Sequence, residues 1–513
     1  MSRITFPHLT GVKLIVAAIA LSLGNFMVVL DTTITNVAMP TISGYLGVST
    51  TEGIWIITAY AVAEAITVPL TGWIASQFGQ VRTFLLAIIA FVLFSVCCGL
   101  SWSLTSLTIF RVLQGLAGGP LIPLSSTLLI AVFPKSQSNI AVALWGMMTV
   151  IAPIFGPILG GVISDNWSWQ WVFYINIAFG FIVGCGAWWV LKDRETLIKR
   201  SRLDRVGLSL LILFVSTFQI TLDKGRELDW FSSSFIIICS LISLISLISL
   251  VLLIIWVLNS DAPIIDLRVF KSRNWLVSTI ALCMMFGIFF GNIVLTPLWL
   301  QQWMGYTATW AGYATSPMGI LAVLSSPIIG RMLPKFDPRL LVSYGMGMLA
   351  VSFVMRSFLT TQADFMSVAL PMVILGAGVP ACLITLTSLG VSQLPTDQVA
   401  AGAGLQNFLR VMSMAIGSSL TQTYWEHMSK FNRSTLVSSM QPDVMTNLNA
   451  LVAQNRIPLN SSTLLLSKIV DEQAVMLATN NFYQLATLLM LCSISIIWFI
   501  KKTEHPLHKN IGN

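Results

Sequence analysis

The sequence contains few charged residues, since Asp, Glu, Lys and Arg make up only 9% of its 513 residues. A soluble protein carries roughly 25%, so this chain could not cover a water-exposed surface. Hydrophobic residues make up 56%, and about 20 consecutive apolar residues are enough to cross a bilayer as a helix. The composition excludes a soluble protein and predicts an all-α polytopic membrane protein.

Several patterns that are typical of enzymes are also missing. The seven cysteines form no CxxC pair, so nothing indicates a metal site or a disulfide framework. No Gly-Lys dipeptide occurs, which excludes the phosphate-binding loop of an ATPase, and neither HExxH nor GxSxG is present. All four histidines (His8, His427, His505 and His508) lie outside the long apolar segments. We expect no enzyme activity, no metal and no cofactor, and an ion gradient as the energy source.

Apolar segments between polar or Gly/Pro-containing breaks predict fourteen spans. Their approximate limits are 14–36, 53–75, 83–100, 104–131, 139–163, 170–191, 206–222, 235–258, 274–300, 309–330, 340–359, 368–392, 399–423 and 478–500. An even number of spans places both termini on the same side of the membrane.

The distribution of basic residues predicts the orientation. With the termini inside, 19 Lys and Arg fall on the inner side and seven on the outer side. Four of those seven belong to the long polar segment 424–477, which leaves three in short outer loops. Because Lys and Arg concentrate in cytoplasmic loops, we expect both termini in the cytoplasm. The strongly basic loop 192–205 is then an inner loop.

Glycines repeat at an almost constant offset along the chain. They pair as Gly72 with Gly330, Gly118 with Gly378 and Gly156 with Gly417, at offsets of 258, 260 and 261 residues. Spans 1–6 are therefore related to spans 9–14 in the same order, with spans 7 and 8 inserted. We predict a six-helix half at 1–191, a basic loop with two inserted spans at 192–270, and a second six-helix half at 271–513. Two parallel halves are typical of secondary transporters, whose substrates bind between them.

Four formal charges lie clearly inside the predicted spans, away from the span ends: Asp31, Glu64, Arg111 and Arg410. Each costs at least about 2.5–3.5 kcal/mol at a helix centre, so each is a functional candidate by default. Asp31 and Arg111 both fall in the outer half of the membrane, on spans 1 and 4. We expect the two to be partners, directly or through water. They either couple protons to transport or form a static ion pair.

Glu64 shares one side of span 2 with Tyr60 and Thr67. Burial disfavours the charged form of a carboxyl group and a nearby arginine favours it, so a carboxyl group between these influences can exchange protons. The alternative is a neutral acid that is hydrogen-bonded to a neighbouring helix.

Arg410 shares one side of span 13 with Gln406, Asn407 and Ser413. This side must face the bundle or a cavity, because lipid tails cannot form hydrogen bonds with these polar side chains. No carboxylate lies in any other C-terminal span, so we expect Arg410 to bind an anionic group of a substrate, or backbone carbonyls. The predicted cavity residues are Arg410, Asn407, Gln114 and Tyr60.

Three motifs resemble the fourteen-span drug:proton antiporters of the major facilitator superfamily. Leu30 to Pro40 (LDTTITNVAMP) resembles their span 1 signature, and Arg111 to Pro120 (RVLQGLAGGP), which includes Gly115, resembles their span 4 motif. The stretch from Gly146 through Gly156 and Pro157 to Gly160 and Gly161 is similar to the span 5 motif of drug exporters. The resemblance implies the major facilitator fold, with two six-helix bundles and two inserted helices. It also implies that Asp31 and Arg111 couple protons to transport.

Gly72 to Arg82 (GWIASQFGQVR), which includes Gly79, resembles the gating motif of the loop between spans 2 and 3, and 330–339 is its weaker echo. This motif departs from the superfamily pattern at Ser76 and Gln80, where an aspartate and a basic residue are usual.

The segments 223–231, 263–266 and 308–312 resemble the EmrB branch in particular. This branch implies an inner-membrane multidrug efflux pump that confers antibiotic resistance, with a periplasmic adaptor of the EmrA type and an outer-membrane channel of the TolC type. The outer segments 424–477 and 223–234 would be the docking surfaces. Two alternatives stay open: a dedicated exporter of one physiological solute, such as a fatty acid or a siderophore, and a membrane enzyme that acts on lipid.

Overall fold

The computed structural model describes residues 8–134, 137–196, 198, 205–225, 228–257, 267–392, 394–395, 399–440 and 461–500. The described residues form sixteen α-helices and two short 3₁₀-helices, at Trp230–Ser232 and Leu267–Lys271, and no strand. The α-helices are α1 Gly11–Tyr45, α2 Thr50–Phe78, α3 Gln80–Gly99, α4 Leu104–Gly118, α5 Leu121–Val132, α6 Ser138–Asn166, α7 Trp171–Leu191, α8 Arg205–Gly225, α9 Ser234–Val257, α10 Arg273–Trp303, α11 Ala308–Thr315, α12 Met318–Met332, α13 Pro338–Arg356, α14 Phe365–Ser392, α15 Val399–Ser438 and α16 Ser461–Ile497.

The sixteen helices form fourteen spans, because two of the spans are broken. The fourth span consists of α4 and α5, which are separated at Gly119 and Pro120, and the tenth consists of α11 and α12, which are separated at Ser316 and Pro317. Thirteen spans are apolar enough to cross a membrane by composition. The remaining one, α15, carries the polar residues around Arg410, which lower its hydropathy. The predicted fold class is confirmed.

The two halves repeat one packing pattern. In the first half α1 packs against α6 and α7, and in the second half α10 packs against α15 and α16. The inserted helices α8 and α9 pack against each other, and α8 also contacts α2 and α15. The inserted pair therefore lies beside the bundle, where α2 of the first half meets α15 of the second.

The ends of the bundle are called inner and outer here, after the orientation that the charge distribution predicts. The halves touch near both ends along α6. Near the outer end, a β-carbon added at Gly312 on α11 would lie 3.0 Å from the backbone nitrogen of Ile158 on α6. Near the inner end, Ala143 on α6 packs in one buried cluster with Ile329 on α12 and Ile384 on α14. The two halves are therefore in contact near both ends of α6.

Helices α15 and α16 continue beyond the predicted outer boundary. At a rise of about 1.5 Å per residue, the residues of α15 after Trp425 add roughly 20 Å. The Nε of Arg433 lies 2.5 Å from Oδ1 of Asp471, and Nδ2 of Asn432 donates to Oδ1 of Asn481 at 3.2 Å. The outer segment thus begins and ends as a helical pair, named the outer projection here (residues 426–438 and 461–473).

Parts of three predicted features lie outside the described residues. They are the centre of the outer segment (441–460), most of the second part of the basic inner loop (197 and 199–204), and the motif Pro263 to Asp266.

Candidate functional site

Asp31 lies at the centre of a buried polar network in the outer half of the first bundle. Its Oδ2 lies 2.5 Å from Nη1 of Arg111. Its Oδ1 accepts hydrogen bonds from Nε2 of Gln114 at 3.0 Å and from Nδ2 of Asn176 at 2.6 Å. These four side chains are at most 1% exposed. Because an ionised carboxylate only accepts hydrogen bonds, three donors fit the charged form of Asp31.

Arg111 is fixed by partners on three helices. Besides Asp31, its Nη1 donates to Oε1 of Gln114 at 2.8 Å, and its Nε donates to the carbonyl oxygen of Ile56 on α2 at 3.3 Å. Its guanidinium carbon lies 4.1 Å from the ring centroid of Tyr60, a distance that favours a cation–π interaction. The structure thus places Asp31 and Arg111 in direct contact, as their depths in the membrane predict.

Glycine is needed where α4 crosses α2. A β-carbon at Gly115 would lie 2.5 Å from the carbonyl oxygen of Tyr60, and one at Gly118 would lie 2.8 Å from the Tyr60 hydroxyl. Only glycine allows this close approach of two helices. The span 4 motif therefore brings the Tyr60 ring beneath Arg111.

Glu64 lies one turn from Tyr60 on α2 and is 9% exposed. In the described part of the chain its carboxyl group has no hydrogen-bond partner. The hydroxyl of Thr67 donates to backbone carbonyl oxygens instead. The alternative of an acid bonded to a neighbouring helix is therefore not found among these residues. Glu64 does interact electrostatically with Arg111, Asp31 and Arg410.

Arg410 approaches the same region from the second half. Its guanidinium carbon lies 5.1 Å from the ring centroids of both Trp145 on α6 and Phe286 on α10. Within the described chain its Nε has no hydrogen-bond partner, and neither has Nδ2 of Asn407. A carboxyl group of the other half lies in this region, because the residues beside Glu64 on α2 (Ala65 and Val68) pack in one buried cluster with Phe408 and Met412 beside Arg410 on α15, and Glu64 interacts electrostatically with Arg410. A search confined to the C-terminal spans could not find a partner in the other half.

The span 5 motif packs α6 closely against α1. A β-carbon at Gly156 would collide with the side chain of Thr33, and one at Gly160 would lie 3.1 Å from the carbonyl oxygen of Ile34. Gly161 is buried as well. Pro157, one residue after Gly156, lines a cavity between the halves. This motif therefore joins the Asp31 helix to the surface along which the halves meet.

The inner loop motif has an acidic partner from elsewhere in the chain. Gly79 has a φ of +92° and is the N-cap residue directly before α3. Oε1 and Oε2 of Glu195 accept hydrogen bonds from the backbone nitrogens of Val81 and Arg82, at 3.1 and 2.8 Å. A carboxylate is favourable at a helix N-terminus. Glu195, from the loop after α7, thus supplies a negative charge to a loop that has Ser76 where an aspartate is usual. Gly72 has open space around it.

Counting Lys and Arg on the two sides of the membrane does not identify one buried arginine, Arg356. Arg356 lies near the outer end of the predicted span 340–359 and is one of the three basic residues counted in short outer loops, but it ends α13 and is 0% exposed. Its Nη1 donates to Oδ1 of Asn292 at 2.7 Å. A signal for this second network was present, because Asn292 stands 261 positions after Asp31, the offset that the glycines indicate. Asn176 and Lys224 were also overlooked as buried polar residues, since neighbouring apolar or loop residues concealed them.

Comparison with known proteins agrees with this geometry. The model of the Major Facilitator Superfamily matches residues 21–418. The multidrug export protein EmrB of Escherichia coli (strain K12) is 42% identical over 497 residues, which cover 96% of each chain. The fatty acid resistance protein FarB of Neisseria gonorrhoeae is 40% identical over 502 residues, which cover 98% of each chain.

Among solved structures, a crystal structure of the peptide transporter POT in complex with sulfate has the same fold. It matches with a TM-score of 0.63 at 13% identity, over 97% of this chain and 98% of that chain. Together with fourteen spans in two repeated halves, these findings show that the chain belongs to the major facilitator superfamily.

Proposed function

We propose that the protein is a proton-coupled antiporter of the bacterial inner membrane that exports diverse amphipathic toxic compounds. Its termini lie in the cytoplasm in this proposal. Multidrug export is the function that the printed name of the EmrB relative gives for that protein, and 42% identity over 96% of both chains supports the same function here. The proton gradient supplies the energy.

Glu64 is the proposed proton carrier, and one contrast between two carboxyl groups supports this role. Asp31 accepts three hydrogen bonds, and a proton on Asp31 would disrupt donors on α4 and α7. Glu64 has no such partner within the described residues, so adding a proton there breaks no hydrogen bond. In this proposal Asp31 is the fixed negative charge that positions Arg111.

Proton binding at Glu64 would also change the attraction between the halves. Ionised Glu64 on α2 attracts Arg410 on α15, which belongs to the other half. A neutral Glu64 loses this attraction, and opposite charges in a site of low dielectric interact strongly. Protonation therefore favours a different relative position of the halves, and a substrate that binds better to one state shifts the same equilibrium.

The test is proton release from purified protein in lipid nanodiscs, followed with a pH-sensitive dye in weak buffer. On addition of a lipophilic cation such as ethidium, the wild type should release protons and Glu64→Gln should release none, although it still binds the cation. Glu64→Asp is the matched control, because it keeps the carboxyl group and should keep part of the release. Wild-type release from Glu64→Gln would contradict the assignment.

A second candidate is export of one physiological solute, such as a fatty acid. The relative FarB, named for fatty acid resistance, favours this candidate over other single solutes. A resistance panel separates the two: growth protection against several unrelated dyes and antibiotics supports multidrug efflux, and protection against long-chain fatty acids alone supports the dedicated exporter.

We also infer that the pump works with a periplasmic adaptor of the EmrA type and an outer-membrane channel of the TolC type. The outer projection supports this inference, because it exposes large apolar side chains beyond the membrane. Phe431, Leu464 and Ile469 are 57%, 72% and 49% exposed. Exposed apolar patches outside a membrane are typical of protein contacts.

Photo-crosslinking tests the adaptor contact. A photoreactive residue at Leu464 should crosslink to the adaptor in intact cells, whereas one at Trp102, an outer residue that is 79% exposed on another loop, serves as the control. Crosslinks of equal yield from both positions would contradict a specific docking surface.

A further inference from the structure

Three arginines are buried among the residues that the structure describes, and they differ in the negative charge around them. Arg111 has Asp31 in direct contact. Arg410 has Glu64 within electrostatic reach. Arg356 has no carboxylate in contact within the described part of the chain. Its positive charge is therefore the least balanced of the three, although it is 0% exposed.

Within the described ranges, the groups that contact the Arg356 guanidinium are all neutral. Nη1 donates to Oδ1 of Asn292 at 2.7 Å, and Nε and Nη2 donate to the carbonyl and hydroxyl oxygens of Ser352, both at 3.4 Å. The guanidinium carbon lies 4.6 Å from the ring centroid of Tyr483 and 5.1 Å from that of Phe353. These groups satisfy hydrogen bonds but supply no formal negative charge. A buried charge without a counter-ion is costly, so an anion would be stabilised here.

A cavity lies beside this charge. It is a narrow space in this state, open on one side, between α6 of the first half and α10, α11, α12 and α14 of the second. Among its lining residues are Pro153, Pro157, Asn292, Thr296, Met318 and Met372.

One layer of side chains separates this cavity from Arg356. Asn292 touches both, and Sδ of Met372 lies 3.8 Å from Nη1 of Arg356. Asn292 Oδ1 is already occupied, because it also accepts from the Thr296 hydroxyl at 3.0 Å. The amide nitrogen of Asn292 donates to no partner in the described residues. The cavity is therefore apolar, with one available amide donor and a buried cation directly behind it.

We propose that this cavity is an anion-selective subsite of the transport pathway. The carboxylate of an amphipathic compound accepts a hydrogen bond from the Asn292 amide and, when the Asn292 side chain turns aside, binds Arg356 directly. As the halves part and this narrow space widens, the apolar tail of the compound packs against Met318, Met372 and the α6 prolines. This proposal rests on the export function proposed above and assigns the recognition of anionic substrates to Arg356 rather than to Arg410.

The position of the cavity fits a site reached from the outer side. It is adjacent to the contact between α6 and α11 at Ile158 and Gly312, which must part when the halves open outward. Pro157, which precedes Ile158, lines the cavity itself. Opening at that contact would therefore expose the cavity to the outer solution, and an anion held there could leave.

Binding to wild-type protein in nanodiscs of neutral lipid tests the proposal with three probes of equal chain length: dodecanoate, dodecanol and dodecyltrimethylammonium. We expect dodecanoate to bind at least about 10-fold more tightly than dodecanol, which corresponds to about 1.4 kcal/mol. Arg356→Gln should abolish this preference and Arg356→Lys should keep part of it. Arg410→Gln discriminates between the two arginines, since recognition by Arg356 predicts that it keeps the preference. Arg273→Gln, which removes an exposed arginine at the inner end of α10, is the control for the loss of one positive charge.

Two further measurements keep the test decisive. Met372→Trp fills the cavity without removing a charge, and it should weaken dodecanoate binding even if Arg356→Gln does not fold. Arg356→Gln should still release protons with ethidium, because Glu64 is intact. If the wild type releases none, the export mechanism fails while the binding preference stays measurable. An unchanged preference in folded Arg356→Gln, or its loss in Arg410→Gln instead, would overturn the proposal.

Discussion

The two halves carry buried polar networks at equivalent positions, and these networks are built differently. Moving 261 positions along the chain takes Asp31 to Asn292, Ser95 to Arg356 and Arg111 to Met372. Both networks link the first helix of a half to its third, fourth and last helices. The first contains a carboxylate and an arginine in contact, and the second contains an arginine with neutral acceptors.

The difference indicates that the two halves have different roles in transport. A carboxylate beside an arginine gives the first half a fixed, balanced charge pair, with the second carboxyl group, Glu64, nearby on α2. The second half has no titratable acid at the matching positions, since Asn292 replaces the carboxylate. Proton exchange is therefore expected in the first half, and recognition of anionic compounds in the second.

Asp31→Asn should have the largest effect of any single change in either network. It leaves Arg111 buried without its counter-ion, and breaking a buried pair from one side costs about 3–5 kcal/mol. We expect a strong drop in the thermal unfolding midpoint and no substrate-driven proton release. The double variant Asp31→Asn/Arg111→Gln should regain much of the stability but not the transport. An unfolding midpoint equal to that of the wild type in Asp31→Asn would contradict the claim that Asp31 is the counter-ion that stabilises buried Arg111.

The converse change in the second half is Asn292→Asp. It places a carboxylate beside Nη1 of Arg356, where the amide oxygen now lies 2.7 Å away. A charge-assisted hydrogen bond is stronger than a neutral one by about 1 kcal/mol, so the unfolding midpoint should rise. The preference for dodecanoate over dodecanol should disappear, since the new carboxylate occupies the site. A lower midpoint together with an unchanged preference would contradict the view that Arg356 lacks a counter-ion.

A smaller contrast is expected from the last helix of each half. Asn176→Ala removes a donor to Asp31 that lies at 2.6 Å, and an unsatisfied buried group costs about 1–3 kcal/mol. This change should reduce proton release as well as stability. Tyr483→Phe removes a neutral hydrogen bond to Thr296 at 3.1 Å, worth about 0.5–1.5 kcal/mol, and should leave proton release unchanged. Equal effects on proton release would remove the distinction between the halves.

The smallest expected effect is one that the halves share, at two exposed carboxyl groups that accept hydrogen bonds at helix N-termini: Glu52 on α2 and Asp364 before α14. Hydrogen bonds from the backbone and side chain of Ser49 lower the pKa of Glu52, and those from the side chain and backbone of Ser367 lower the pKa of Asp364. A lowered folded-state pKa means that the stabilisation is present above the unfolded-state pKa and is lost as the pH falls through the folded value.

Asp and Glu in the unfolded chain titrate at about pH 4, so the stabilisation by both carboxylates begins to be lost as the pH falls below that value. Between pH 5 and pH 3, Glu52→Gln and Asp364→Asn should each flatten the decline of the unfolding midpoint slightly and to a similar degree. Proton release at neutral pH should not change in either variant. If the unfolding midpoint fell more steeply with falling pH in either variant, this would contradict a lowered pKa of the carboxyl group that the variant removes.

Much of the fold follows from hydrophobic segment length, because each span must satisfy its own backbone in lipid. The fourteen spans were predictable in this way, and the constant offset between glycines indicated that the two halves are related. Depth along a helix can be counted from the sequence, so two charges at the same depth in one half could be paired. The ends of α15 and α16 could not be found, since their polar outer projection has no apolar segment to mark it.

Contacts between the halves were beyond the reach of sequence periodicity. Glu64 and Arg410 lie on helices that are far apart in the chain, and nothing local indicates that they share one region. Arg356 was misplaced because an arginine at the end of a span has the same sequence signature as one in a loop. Only the packing of α10, α13 and α16 around it shows that it is buried.

The most direct test of the central claim measures the protonation of Glu64 itself. Infrared difference spectra of the protein in nanodiscs, recorded on adding ethidium, would detect the carbonyl stretch of a protonated carboxyl group. We predict a band that decreases in the wild type, is absent in Glu64→Gln, and is unshifted in Asp31→Glu. A band that persists in Glu64→Gln but shifts in Asp31→Glu would contradict the account and assign the proton to Asp31.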